Sequence, residues 1–505
     1  MPIATSTRRK GPGPKIDLVP RTDKIAKSWD RILATIWKNT TLPNISMIGC
    51  FKYGPNLQTT IVILLNVKAL PRETVNQNGE AIRRLLDRNG LKSVQISIEK
   101  GAITSGSSSS TGDLNYEVLD SPALMGQSMA HKSNIKATGT LGAFFQVKPK
   151  GSSGWKTVAM TCHHVVAEPK YAQDMLDYWA KNSIVPRGMD SAKDMLRKWH
   201  EGGIGPNDRN RSMVAVDHPG KISITQATEL VEGKLRELEK AGVYDLLAQD
   251  AKGEGEFMAR NQKQILQKGK VLVQKSEALR RFAAANRIDF GIVRATSGIR
   301  KKPCTRGFTM GGDNTPGAAT LPMLVALDWA LVEPRTQRIP RIMSPYPNDP
   351  TFPRFRDFTG TTTQRKDLGG TKVCFWGQRG GLREGTIHNL TTATVMKDPF
   401  NRGFRDDGGK DAYTYFREEI TSTVDWVVTG DLRTVYGEKE WQEFGLAGDS
   451  GSMVFTNENP NNRTLIGMIR AGDEAYGRWS FVTPIEFIYE DIKQRTGATD
   501  VRLMI

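Results

Sequence analysis

The chain has 505 residues, 38% hydrophobic and 25% charged, enough for two or more domains at roughly 100–200 residues each. Its most apolar run, residues 61–67 (IVILLNV), is far short of the ~18 residues a spanning helix needs, so no membrane partner is expected. Lys+Arg 71 against Asp+Glu 54 gives +17, which favours acidic partners, but the basic residues are dispersed, so nucleic acid is possible and not favoured.

Residues 1–20 carry Arg8-Arg9-Lys10 among Pro and Gly and read as a disordered basic tail. No apolar h-region follows, so a secretory signal is not expected. Cys50, Cys162, Cys304 and Cys374 are scattered with no CxxC pair, unlike a disulfide framework or a zinc ribbon. An intracellular protein, cytoplasmic or nuclear, is the expectation.

Residues 21–101 read as a small α/β domain. Ile25, Trp29, Ile32, Leu33, Ile36 and Trp37 recur at helical spacing and predict an amphipathic helix starting after Thr22. A β-branched run, residues 59–67, predicts a strand. Residues 80–87 (EAIRRLLD) predict a helix closed near Asn89-Gly90, and residues 94–98 (VQISI) a second strand. No catalytic grouping occurs here, and a protein partner could dock on it. Residues 102–133 read as a flexible linker around SGSSSSTGD.

From residue 134 to 505 short apolar runs alternate with glycine, as in TGTLGAFFQV, TVAMTCHHVV, IDFGIVRATSG and VALDWALVEP. Such spacing predicts a β-barrel or sandwich. The polar stretch of about 169–286 breaks the pattern, with TQATELVEGKLRELEK and RNQKQILQKGKVLVQKSEALRRFAAA. It predicts a helical insertion on the barrel surface, a solvated hairpin or an arm for a partner.

Gly448-Asp449-Ser450-Gly451 is the strongest chemical signal. A serine between glycines can occupy a tight turn in which the Gly448 and Ser450 amides aim at one spot, as an oxyanion requires. The same tetrapeptide also suits an ordinary turn. A serine hydroxyl needs a base. Of six histidines, His131 lies in the linker, His200 and His218 in the polar stretch, and His388 in a Thr-rich region. Only His163-His164 follows an apolar strand, and in extended chain just one of two neighbours faces a given site. That alternation also speaks against a Cys162/His163/His164 metal cluster. An imidazole base needs an acid to hold its tautomer, and Asp289 and Asp328 both enter β-like runs; position alone does not choose between them.

Taken together, residues 138–505 resemble a trypsin/chymotrypsin-like serine protease, a family with the order His, Asp, Ser. Gly448-Asp449-Ser450-Gly451 matches its nucleophile loop, Thr161-Cys162-His163-His164-Val165-Val166 the T-x-x-H-V-V form, and Asp328-Trp329-Ala330-Leu331-Val332 the D-x-A-L-V strand. Disulfide-free multidomain members from fungi are the most similar, with TCHHV and DWAL motifs. The resemblance implies a chymotrypsin-like double β-barrel behind the α/β domain and an endopeptidase acting on a protein or peptide, with no cofactor or metal. It assigns Ser450 as nucleophile, His164 as base, Asp328 as its orienting acid, and the Gly448 and Ser450 amides as the oxyanion hole. It also puts Phe444 at the base of the substrate pocket, disfavouring basic side chains, Ser480 on the facing wall, and Arg470, Ala471 and Gly472 along the strand that pairs with substrate. Arg470 could instead favour an acidic group nearby, but the expectation is a solvated edge arginine. Residues 133–140 (SNIKATGT) offer no new amino terminus for Asp449 to pair with, so Asp449 needs another partner or the loop a different shape. The rival expectation is a catalytically silent scaffold that binds through the insertion.

Overall fold

The computed structural model describes residues 15–504 except 68, 105–113, 115, 117–118, 120–121, 168–171, 185–191, 254–257, 304–323, 336–337, 341–353, 357–367, 380, 391, 395–422, 431, 436–437, 442, 460–461 and 474–478. The Arg8-Arg9-Lys10 cluster, Cys304 and the serine-rich heart of the expected linker lie outside the described residues. Cys50, Cys162 and Cys374 are buried free thiols.

After β1 (Ile16–Asp17) the first helix, α1, runs Trp29–Asn39 and buries Trp29, Ile32, Leu33 and Ile36 on one stripe. Residues 21–28, expected as its first turns, are irregular. There the Asp23 carboxylate accepts from the Ile25 amide (3.3 Å) and from Thr59 Oγ1 (2.8 Å), side-chain bonds that compete with helix nucleation. β2 (Ile45–Tyr53) and β3 (Gln58–Leu65) form an antiparallel hairpin, and α2 (Arg72–Arg88) returns the chain to β4 (Gln95–Lys100), parallel to β3.

The apolar run in β3 is buried on both faces. Ile61, Ile63 and Leu65 pack with α1 and α2, while Val62 and Leu64 pack with Met47, Phe51, Ala471, Trp479 and Phe481. A strand covered on both sides reads as continuous hydrophobicity, not alternation. The second face is thus shared with the C-terminal half of the chain.

β5 (Ile103–Thr104) and β6 (Gln127–His131) stand within the expected linker, whose low-complexity signal covers only its middle. β6 opens an eight-stranded antiparallel half-barrel. Its other strands are β7 (Gly139–Leu141), β8 (Ala143–Pro149), β9 (Lys156–Cys162), β10 (Ala215–Asp217), β11 (Asp289–Thr296), β14 (Trp329–Pro334) and β25 (Ala498–Leu503), in the order β25-β8-β9-β14-β11-β10-β6-β7. Between β11 and β14 lie β12 (Arg300–Pro303) and β13 (Leu324–Leu327), which pair with each other.

The second sheet contains a closed ring. β16 (Lys372–Gly377) pairs β17 (Gly381–Ile387), which pairs β19 (Thr423–Gly430), then β24 (Trp479–Pro484), β23 (Asn462–Asp473) and β22 (Met453–Thr456), which returns to β16. Phe375, Phe444, Val454, Ile466 and Val482 fill its interior. β18 (Thr392–Thr394) joins β19 to β2, so the N-terminal sheet continues from the barrel without a break.

Residues 172–284 carry helices Ala172–Lys181, Ala192–Gly202, Lys221–Glu239, Val243–Ala251 and Arg260–Ala284. Ala227, Val231 and Leu235 of the third pack on Ala278, Leu279 and Phe282 of the fifth. The stretch is not wholly peripheral, because β10 inside it is a half-barrel strand and His200 and His218 are buried. Among the described residues no helix is long and apolar enough to cross a membrane.

Candidate active site

β9 ends at Cys162, and His163–Val166 turn into one helical turn, α3, instead of continuing as strand. Its neighbour β14 pairs Trp329 with Cys162 and Ala330 with Thr161. That register sets Asp328 beside the turn, where its carbonyl accepts from the His163 amide at 3.0 Å. The carboxylate meets the second histidine twice. Asp328 Oδ2 lies 2.6 Å from His164 Nδ1, and Oδ1 accepts from the His164 backbone amide at 3.1 Å. Both side chains are buried, which a carboxylate tolerates when its oxygens are bonded. With Nδ1 so engaged, Nε2 is the nitrogen left to exchange a proton.

His163 diverges. Its Nδ1 lies 3.0 Å from Thr296 Oγ1, its ring is 5.9 Å from that of His200, and burial lowers its pKa to about 4. Asp289 sits elsewhere, paired with Lys132 at 3.2 Å and partly exposed. The alternatives left open by strand position thus part in space: His164 and Asp328 meet, while His163 and Asp289 have structural partners.

The Gly448–Gly451 turn packs directly on this strand end. Gly448 and Gly451 have φ of +101° and +98°, which side-chain-bearing residues rarely adopt. A Cβ on Gly451 would come within 2.5 Å of Thr161 Oγ1 and 3.2 Å of the Cys162 nitrogen. One on Gly139 would meet Val165 Cγ2 at 2.1 Å and the Ser450 carbonyl oxygen at 3.1 Å, and one on Gly142 the Gly451 carbonyl at 2.1 Å. The glycines of TGTLGA therefore let β7 and its continuation pass beneath the serine and against the histidine turn.

Within the turn the amides divide into two sets. Asp449 N donates to the Leu446 carbonyl, Gly451 N to that of Ile469, and Ser452 N to that of Asp449. Among the described residues the Gly448 and Ser450 amides donate to no protein acceptor. The Gly448 carbonyl is clamped by two donors, Thr140 Oγ1 at 2.8 Å and Gln378 Nε2 at 2.9 Å. Gln378 is fixed in turn by Thr138, whose Oγ1 donates to Gln378 Oε1 at 2.7 Å. Sequence inspection missed this clamp, since an isolated Gln and two Thr carry no motif. Ser450 is buried, with Oγ 3.5 Å from the Arg470 carbonyl oxygen.

Asp449 finds the partner it needs in backbone. Its Oδ2 accepts from the Leu446 amide (3.0 Å) and its Oδ1 from the Arg379 amide (3.3 Å). Burial still dominates and raises its pKa to about 6, with the two amides opposing.

Cys162 Sγ, His164 and Asp328 each offer a donor atom within 4.8 Å of the others. Sγ faces the Ile469 carbonyl at 3.3 Å, and burial followed by the nearby Asp328 charge pushes the thiol pKa well above its usual range. The trio is a hydrogen-bonded His–Asp pair beside a neutral thiol.

The expected pocket residues fall in two places. Phe444 belongs to the ring interior, its ring 4.8 Å from that of Phe375. Ser480 is buried opposite Gly472, and a Cβ on Gly445 would reach its Oγ at 2.5 Å. Ala471 packs with Trp479 and Phe481. Arg470 corrects the expectation of a solvated edge residue: it is 2% exposed, and its Nη2 donates to Thr394 Oγ1 at 3.0 Å. The β18 strand brings that acceptor, and only tertiary pairing reveals it.

No protein-family model and no curated protein matches the chain. Among solved structures, it is similar to the chymotrypsin of Cellulomonas bogoriensis at 16% identity and TM-score 0.21, covering 38% of this chain and 73% of that one. A glutamic acid-specific serine protease described as using a histidine triad in substrate binding shows 10% identity, TM-score 0.21, and coverage of 44% and 82%. Protease A of Thermobifida fusca shows 14%, 0.18, and coverage of 39% and 74%.

Proposed function

We propose that the chain is a serine endopeptidase. The observation that carries this reading is the buried 2.6 Å contact between His164 Nδ1 and Asp328, set on a strand end against which the Ser450 turn is packed. Ser450 Oγ attacks the peptide carbonyl carbon while His164 Nε2 takes its proton. The Gly448 and Ser450 amides receive the developing oxyanion. The tetrahedral intermediate collapses with C–N cleavage, His164 delivers its proton to the leaving amine, and Asp328 stabilises the imidazolium between these steps. Water, deprotonated by His164, then hydrolyses the acyl-enzyme and restores Ser450.

Phe444 stands at the position where trypsin-like enzymes hold a carboxylate, and a phenyl ring cannot pair a Lys or Arg side chain, so cleavage after basic residues is disfavoured. The buried free thiols Cys50, Cys162 and Cys374 support a reducing, intracellular setting. A fluorophosphonate probe tests the function: labelling is expected at Ser450 and is lost in Ser450→Ala and His164→Ala. Labelling that survives Ser450→Ala would show that another residue is the nucleophile.

A further inference from the structure

Strand β23 changes partners along one edge. β24 covers its other edge through Gly472. On the edge in question β22 pairs with residues Leu465 to Met468, after which the nucleophile turn takes over: Gly451 N donates to the Ile469 carbonyl at 2.8 Å and Ile469 N to the Ser452 carbonyl at 2.9 Å. Ser450 Oγ then faces the Arg470 carbonyl at 3.5 Å. Just beyond, the edge is not open. β5 pairs with it antiparallel, Thr104 opposite Gly472 and Ile103 opposite Asp473.

Gly472 lies two residues from Arg470, roughly 7 Å along a strand. An extended peptide that reaches Ser450 by antiparallel pairing with β23 must therefore occupy the place of Ile103 and Thr104. The direction also matches: from Ile103 to Thr104 the partners fall from Asp473 to Gly472, so β5 runs toward the serine.

The N-terminal sheet delivers this strand. Gly101 N donates to the Leu65 carbonyl (3.0 Å), and Ile103 N to Ser46 Oγ (2.8 Å). Half-buried Ile103 packs on the cluster of Ala471, Trp479 and Phe481 that the barrel shares with Met47 and Phe51. With the Ile103 amide turned to Ser46, strand alternation turns the Thr104 amide toward β23.

Taking β23 as the strand that pairs with substrate, we infer that Ile103–Thr104 is a built-in competitor, presented by the N-terminal α/β unit, that occupies its edge at Gly472–Asp473 in place of an extended substrate. This rests on the proposed role of Ser450. Substrate strand and β5 exclude each other, so the N-terminal unit restrains cleavage of extended polypeptides while leaving small reagents free to reach the serine.

The test uses the full chain and Thr104→Pro, which removes the amide turned to β23, alongside Ser46→Ala, which loosens β5 without a proline. Both should keep the parent melting temperature within a few degrees. Fluorescein-casein, an unfolded polypeptide, is expected to be cleaved with kcat/KM raised about tenfold by Thr104→Pro and less by Ser46→Ala, the gain residing in KM. The rate of Ser450 labelling by a small fluorophosphonate should not change. In a Ser450→Ala background, casein binding followed by anisotropy should tighten by a similar factor. Unchanged or weaker casein binding in that background overturns the occupancy even if labelling proceeds. Loss of labelling in the parent with tighter casein binding in Thr104→Pro would defeat the catalytic role and leave the occupancy standing.

Discussion

Asp328→Asn isolates what the His164–Asp328 contact does. Asparagine matches aspartate in shape, and its Oδ1 can still accept the His164 backbone amide that Asp328 accepts at 3.1 Å. The change falls on the other atom. Where Oδ2 stands 2.6 Å from His164 Nδ1, an NH2 group would donate to Nδ1 and move the imidazole proton to Nε2. In that tautomer the ring cannot take the Ser450 proton. The variant also loses a charge beside the imidazolium; at ~4 Å and an effective dielectric of ~20 that attraction is about 4 kcal/mol, or roughly a thousandfold in rate. The wrong tautomer adds about a further decade, so kcat on casein should fall on the order of 10⁴-fold with KM little altered. Thermal unfolding should show a folded variant, and Asp289→Asn, whose partly exposed carboxylate pairs with Lys132, should stay within about 1 kcal/mol and severalfold of the parent. A folded Asp328→Asn retaining kcat within tenfold would refute the assignment of Asp328 as the orienting acid.

The two adjacent histidines should separate in the same assay. His164→Ala should lose about 10³-fold or more in kcat, whereas His163→Ala, which gives up a buried contact with Thr296, should lower stability by about 1–3 kcal/mol and keep most activity; equal losses in kcat would contradict the assignment. Gln378→Ala removes one of the two donors on the Gly448 carbonyl, so kcat should fall about tenfold with KM nearly constant, and an unchanged kcat would show that Thr140 alone holds the oxyanion turn. Asp449 has its native pKa raised to about 6 against an ordinary 3.8, so the native state binds the proton more tightly and the group's contribution is fully present below about pH 4 and lost as pH rises through 6. The melting temperature of the parent relative to Asp449→Asn should therefore decline across that window, and a flat difference from pH 4 to 7 would rule the linkage out.

The candidate site residues were more legible than the architecture that positions them. GDSG, HHVV and DWALV announce themselves because glycine at positive φ, an imidazole at a strand end and a buried carboxylate are each costly without a purpose. Which histidine and which aspartate pair depends on the register of β9 against β14, a long-range fact that local spacing leaves open. The same applies to Arg470, read as an exposed edge residue because its acceptor Thr394 lies 76 positions away. β5 spans two residues and β10 three, too short for periodicity to register. The apolar run in β3 predicted a strand, but neither its burial on both faces nor the second face's place against the barrel around the serine was legible, because both depend on long-range packing.

A crystal structure of the fluorophosphonate-treated chain tests the central claim most directly. The expected result is a phosphorus atom bonded to Ser450 Oγ, its oxygen about 2.7–3.1 Å from the Gly448 and Ser450 nitrogens, and His164 Nε2 turned toward the adduct with Nδ1 still on Asp328. A phosphonyl group on another residue, or one on Ser450 whose oxygen points away from both amides, would contradict it.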